Sequence, residues 1–188
     1  VLHHAISIVC GLLLGLGCLM VPYAAWQRSG RWLMLASILL LVLVDVVGQE
    51  VGGATRWFRL GGMSFQPSEL AKISLILYLA DLLARKSGQM HDFWRGTAPA
   101  LIATGMIAGL VLVQPDLGAT IALGAVAMLL LAIARAPWQQ LLVVTLLAAI
   151  VLVVLIAGAE YRRRRIMTFL DPWADPQGRG YQILQAYC

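Results

Sequence analysis

The sequence predicts an all-α fold, a polytopic transmembrane helical bundle, on three observations. Of 188 residues, 61% are hydrophobic and only 12% are charged, where a soluble domain carries about 25% charged residues. So little polar surface cannot cover a water-soluble globule of this size, and the mean hydropathy of +0.84 excludes disorder. Second, the apolar residues fall in long uncharged runs, close to the ~20 residues a membrane helix needs. Third, those runs do not alternate, so they fit helices rather than the strands of a barrel.

Six spans follow in order, at about 5–26, 32–47, 67–84, 97–113, 117–134 and 138–158. Residues 5–26 hold 22 positions without a charge. That is too long for a secretory h-region, and no basic n-region precedes it. Cys10 and Cys18 lie eight positions apart on this span, roughly 12 Å by helical rise, too far for a disulfide. They read as apolar packing residues. The second span is uncharged from Trp32 to Val44 and continues past Asp45. The third is apolar except for Glu69, Lys72 and Asp81. Asp45 and Asp81 stand near span ends, where a carboxylate can reach the headgroups.

Three polar stretches between the spans could carry chemistry, because ionisable groups at membrane depth are costly. In Gln66-Pro67-Ser68-Glu69-Leu70-Ala71-Lys72, Pro67 suits a first helical turn, where no N–H is needed. Glu69 then falls near the positive helix N-terminus, with Lys72 three residues on along the same face. This reads either as an intrahelical ion pair or as an inward-facing polar site. In Gln114-Pro115-Asp116-Leu117-Gly118, Pro115 breaks the helix and Asp116 can cap the next one. Asp116 could also hold a cation or a substrate group beside an aqueous cavity. Between spans two and three, Arg56 and Arg59 suit phosphates, while Trp57 and Phe58 suit a membrane interface. The plainer reading of that stretch is an aromatic belt with snorkelling arginines.

The tail contains Arg162, Arg163, Arg164 and Arg165, then two Asp-Pro pairs and Gly178-x-Gly180, which demand turns. Cations divide evenly between the two sides. Six lie in the loops after spans one, three and five, and seven on the other side, Arg162–Arg165 among them. The positive-inside rule therefore leaves orientation open, with a slight lean toward a cytoplasmic C-terminus. A net charge of +5 fits anionic headgroups. Nucleic acid is not expected, since no basic stretch is interleaved with exposed aromatics. His3, His4 and His91 have no partner at metal-ligand spacing, so no metal site on protein ligands is expected.

Three separated motifs occur in one order: Gly53 to Lys72, Gln114 to Gly118, and Arg163 to Gln182. On these the chain resembles the SEDS family (shape, elongation, division and sporulation), over essentially all 188 residues. The form Phe169-Leu170-Asp171-Pro172-Trp173-Ala174-Asp175-Pro176 looks more like the cell-division branch than the elongation branch. The resemblance implies six of about ten spans in a single membrane domain of the bacterial inner membrane. It places residues 160–188 at the start of a large extracytoplasmic loop, against the slight lean of the charges. Val1 and the mid-motif Cys188 read as the ends of an internal fragment.

By resemblance, the activity is that of a peptidoglycan glycosyltransferase polymerising lipid II during cell division, beside a class B penicillin-binding protein. Glu69, Lys72 and Asp116 would support the site, and Arg56, Trp57 and Arg162–Arg165 would bind substrate. The family's proposed catalytic aspartate would lie past Cys188, so the fragment alone is expected to be inactive. The leaving diphosphate would be met by cationic groups or by a divalent ion, magnesium or manganese. A lipid II flippase and a non-enzymatic division scaffold remain open as alternatives, since broken helices with buried charges suit a transporter equally well.

Overall fold

The computed structural model describes residues 2–50, 55–60 and 63–158. Among them run six α-helices, α1 (Leu2–Met20), α2 (Tyr23–Val47), α3 (Pro67–Arg85), α4 (Ala98–Val113), α5 (Leu117–Ile133) and α6 (Trp138–Ala157). A three-stranded antiparallel ribbon, β1 (Gln49–Glu50), β2 (Thr55–Leu60) and β3 (Met63–Phe65), joins α2 to α3. A 3-10 turn (Ser87–Gln89) and a π turn (Phe93–Thr97) lead into α4. Residues up to Trp138 form one compact unit, and a second begins at Gln139. The described part of the second is α6, apolar along its whole length.

The break between α1 and α2 falls earlier than the sequence predicts. Pro22 takes φ −63° and ψ 143° and stands outside the helix that starts at Tyr23. A proline has no N–H to continue α1 and pushes the residue before it out of helical space. Nothing comparable stops the chain at 27–31, where Gln, Arg and Ser are acceptable helix residues. Arg28 and Arg31, expected in a loop, therefore lie inside α2. Cys10 and Cys18 are also corrected: both are exposed free thiols on α1 rather than packing residues.

Helices α2, α3, α4 and α5 build the core. Small residues let α2 and α3 approach. A Cβ on Gly30 would stand 3.3 Å from the Leu77 carbonyl carbon and oxygen. Further along, the Ser37 and Ser74 hydroxyls hydrogen-bond at 2.8 Å with no exposure to solvent. Leu41, Leu75, Ile107 and Leu123 close the apolar interior, one from each helix. Outward faces are just as apolar: Leu39, Val46, Ile102 and Ile133 are among the exposed residues. Apolar on both sides is the pattern of helices whose solvent is lipid.

By length and composition, three helical stretches can cross a membrane: Tyr23–Val47, Phe93–Val113 and Trp138–Ala157. The apolar stretches Ile8–Met20 and Leu117–Ile133 are shorter. Helix α3 is long enough at 19 residues but carries Glu69, Lys72, Asp81 and Arg85.

Candidate polar site at the hairpin end

Alternating helix directions bring the C-termini of α2 and α4 and the N-termini of α3 and α5 to one end, under the ribbon. Gln66, the residue before α3, donates from Nε2 to Asp116 Oδ2 at 3.1 Å. Asp116 caps α5, with Oδ1 accepting from the Ala119 N–H at 3.1 Å. Its backbone carbonyl takes the Thr120 hydroxyl at 2.8 Å and the Thr120 N–H at 3.1 Å. From β2, Arg56 places Nη1 3.8 Å from Asp116 Oδ2. Arg56 on the hairpin and Gln66 just after it thus meet a carboxylate 60 and 50 positions further along the chain.

A second polar contact lies beside it. Gln114, 2% exposed, donates from Nε2 to the Leu41 carbonyl of α2 at 3.0 Å. A buried amide at membrane depth needs such a partner, and here it ties the end of α4 to α2.

Among the described residues, two buried polar atoms at this end have no hydrogen-bond partner: Arg56 Nε and Ser68 Oγ. An unmatched N–H on a cation is a ready donor for an anionic oxygen.

The sequence-predicted residues divide. Arg56 and Asp116 come together as an ion pair. Trp57 sits half-buried on β2 beside Arg56, opposite Gln49. Glu69 and Lys72 are not drawn into the cluster. Their contact is with each other, Nζ to Oε1 at 2.7 Å, with Glu69 59% exposed. Arg162, Arg163, Arg164 and Arg165 lie outside the described residues.

Sequence reasoning passed over Gln66 and Gln114 as site residues. Both precede a proline, and that shared Gln-Pro step was the available signal: proline fixes the helix boundary and leaves the preceding amide at the helix end. Asp81 was also misjudged. It is 5% exposed rather than turned to the headgroups, accepting from Gln27 Nε2 at 2.9 Å and pairing with Arg85 at 2.8 Å.

Fold and site together define a multi-pass helical membrane protein with a polar, hairpin-covered end. A profile of the FtsW/RodA/SpoVE family, described as cell cycle protein, matches residues 1–188. The chain belongs to this family, the SEDS proteins. It is 40% identical over 187 residues to the probable peptidoglycan glycosyltransferase FtsW of Allochromatium vinosum, covering 98% of this chain and 47% of that protein. It is 36% identical to the protein of the same description from Pseudomonas fluorescens, over 98% of this chain and 46% of that one. Among solved structures it is similar to a chain of a peptidoglycan synthase complex coordinating polymerization and crosslinking, with TM-score 0.78, 34% identity, and coverage of 97% and 54%. The rod shape determining protein RodA of Thermus thermophilus matches with TM-score 0.67 and 36% identity, covering 78% of this chain and 48% of that one. The chain spans about half the length of the curated relatives it matches.

Proposed function

We propose that this chain is part of a peptidoglycan glycosyltransferase that polymerises lipid II, working in cell division with a class B penicillin-binding protein. Family membership supports the reaction class. The observation that carries the site is the Arg56 guanidinium, fixed by β2 beside Asp116 with a buried N–H that has no acceptor among the described residues. In this reading Arg56 meets the diphosphate of the lipid-linked donor, and Trp57 and Arg162–Arg165 contribute to substrate binding. Glu69, Lys72 and Asp116 support the polar end.

Helices α1, α3 and α5 complete six spans in this reading. The hairpin end faces outward. Family membership supports this orientation; the cations, six toward one side and seven toward the other, do not decide it. Residues 160–188 then enter the extracytoplasmic loop.

A divalent ion at the donor diphosphate would be held by phosphate oxygens and water with one or two carboxylates. Among the described residues no three His, Cys, Asp or Glu side chains converge, and Asp116 is the carboxylate beside Arg56. No step is routed through an ion held by these side chains.

The test is polymerisation of labelled lipid II by the full-length protein purified with its transpeptidase partner. Glycan strands resolved on a gel are expected. Movement of lipid II across liposomes with no polymer, under conditions where a related enzyme polymerises, would overturn the reading in favour of a flippase.

A further inference from the structure

We infer that Asp116 is a positioning residue: its carboxylate sets where Arg56 sits above the helix ends, and it does not itself move a proton. The inference rests on the reading of Arg56 as the cation that meets the donor diphosphate.

Both carboxylate oxygens are committed. Oδ1 accepts from the Ala119 N–H, and Oδ2 accepts from Gln66 and faces Arg56. The Asp116 carbonyl is held by Thr120, which fixes its backbone in the first turn of α5. A general base needs an oxygen free to reach the proton it takes. Asp116 is only 16% exposed and each of its oxygens already accepts a hydrogen bond, which restricts the approach of a substrate hydroxyl. What it does offer is a junction, because side chains from the hairpin and from the residue before α3 both converge on this cap of α5. The Arg56 contact is loose: at 3.8 Å it is an ion pair rather than a hydrogen bond. The guanidinium is held beside the carboxylate by charge rather than by a hydrogen bond, and its buried Nε–H has no acceptor among the described residues. Glu69 and Lys72, satisfied by one another, cannot substitute for this junction.

The experiment compares wild type with Asp116→Asn, Asp116→Ser, Asp116→Glu and Arg56→Gln in the full-length protein with its transpeptidase partner. Asn and Ser both keep an oxygen that can cap α5, so either can stand in if the other fails to fold. Removing the charge raises KM for lipid II about tenfold and leaves kcat within about twofold, the signature of lost binding rather than lost chemistry. Asp116→Glu restores most of the KM. The double variant Asp116→Asn with Arg56→Gln is no worse than Arg56→Gln alone, because both act through one group. A fall in kcat of about a hundredfold at unchanged KM overturns the inference, as do additive losses in the double variant.

A second readout needs no activity. Spin labels at Ser64 on β3 and Ile121 on α5, both exposed, should give a distance distribution that broadens in Asp116→Asn and Asp116→Ser but not in Asp116→Glu. An unchanged distribution in both neutral variants overturns the inference. Absence of polymer from wild type, with the broadening present, removes the glycosyltransferase reading while leaving Asp116 as the junction.

Discussion

Arg135 sits at φ 61°, in the left-handed region that usually belongs to glycine. It closes α5. The Arg135 N–H bonds the Ala132 carbonyl at 3.0 Å, and the Ala136 N–H bonds the Leu131 carbonyl at 3.0 Å, the paired bonds of a Schellman end. Arg135→Gly should therefore stabilise by up to about 1 kcal/mol, while the β-branched Arg135→Val should cost about 1–2 kcal/mol. Thermal unfolding of the detergent-solubilised protein checks both signs. Asp81 makes a second residue-scale case. Arg85→Gln leaves a buried carboxylate without its cation, whereas Asp81→Asn keeps the Gln27 contact and frees an Arg85 that is 48% exposed. The arginine change should cost about 2 kcal/mol and the asparagine change about 1 kcal/mol. Equal losses would refute the asymmetry. Local grammar of this kind was legible in the sequence: Pro67 opens α3 and Asp116 caps α5, as their residue types require. The partners of Asp116 were not legible, because Gln66 and Arg56 lie 50 and 60 positions away and no local rule reaches so far.

At the scale of elements, α2 packs tightly against α3 at Gly30. Gly30 has no room for even a methyl group without movement of the backbone at Leu77. Gly30→Leu should wedge the pair apart and cost about 2–3 kcal/mol, with Gly30→Ala nearer 1 kcal/mol. Ser37→Ala should cost only about 0.6 kcal/mol, since hydrogen bonds between membrane helices are modest. Melting temperatures of the three variants should fall in that order. Most helix boundaries were readable because apolar runs end where proline or charge intervenes. The first boundary was misplaced because Arg28 and Arg31 look like a loop and yet sit on a continuous helix. The ribbon was missed altogether: strands of two, six and three residues around glycines are too short to display alternation.

For the molecule as a whole, the proposed orientation makes a direct prediction. In a background without native cysteines, Ser64→Cys on the hairpin should react with a membrane-impermeant maleimide in intact spheroplasts. Gly88→Cys, exposed with open space around its Cβ, should react only after the membrane is permeabilised. The reverse pattern would invert the topology. Membrane class and family were legible from a few charges set in three motifs. The geometry that joins those motifs became visible only when the helices were placed side by side. That geometry also bears on how the protein is made. The hairpin leaves the ribosome well before Asp116 exists. With about 60 residues still to be added at ~5–20 residues per second, Arg56 waits roughly three to twelve seconds for its partner. For that interval the nascent chain presents an unpaired cation at the membrane surface. Assembly of this end therefore finishes only when α5 arrives, making the fifth helix the step that commits the hairpin to its place.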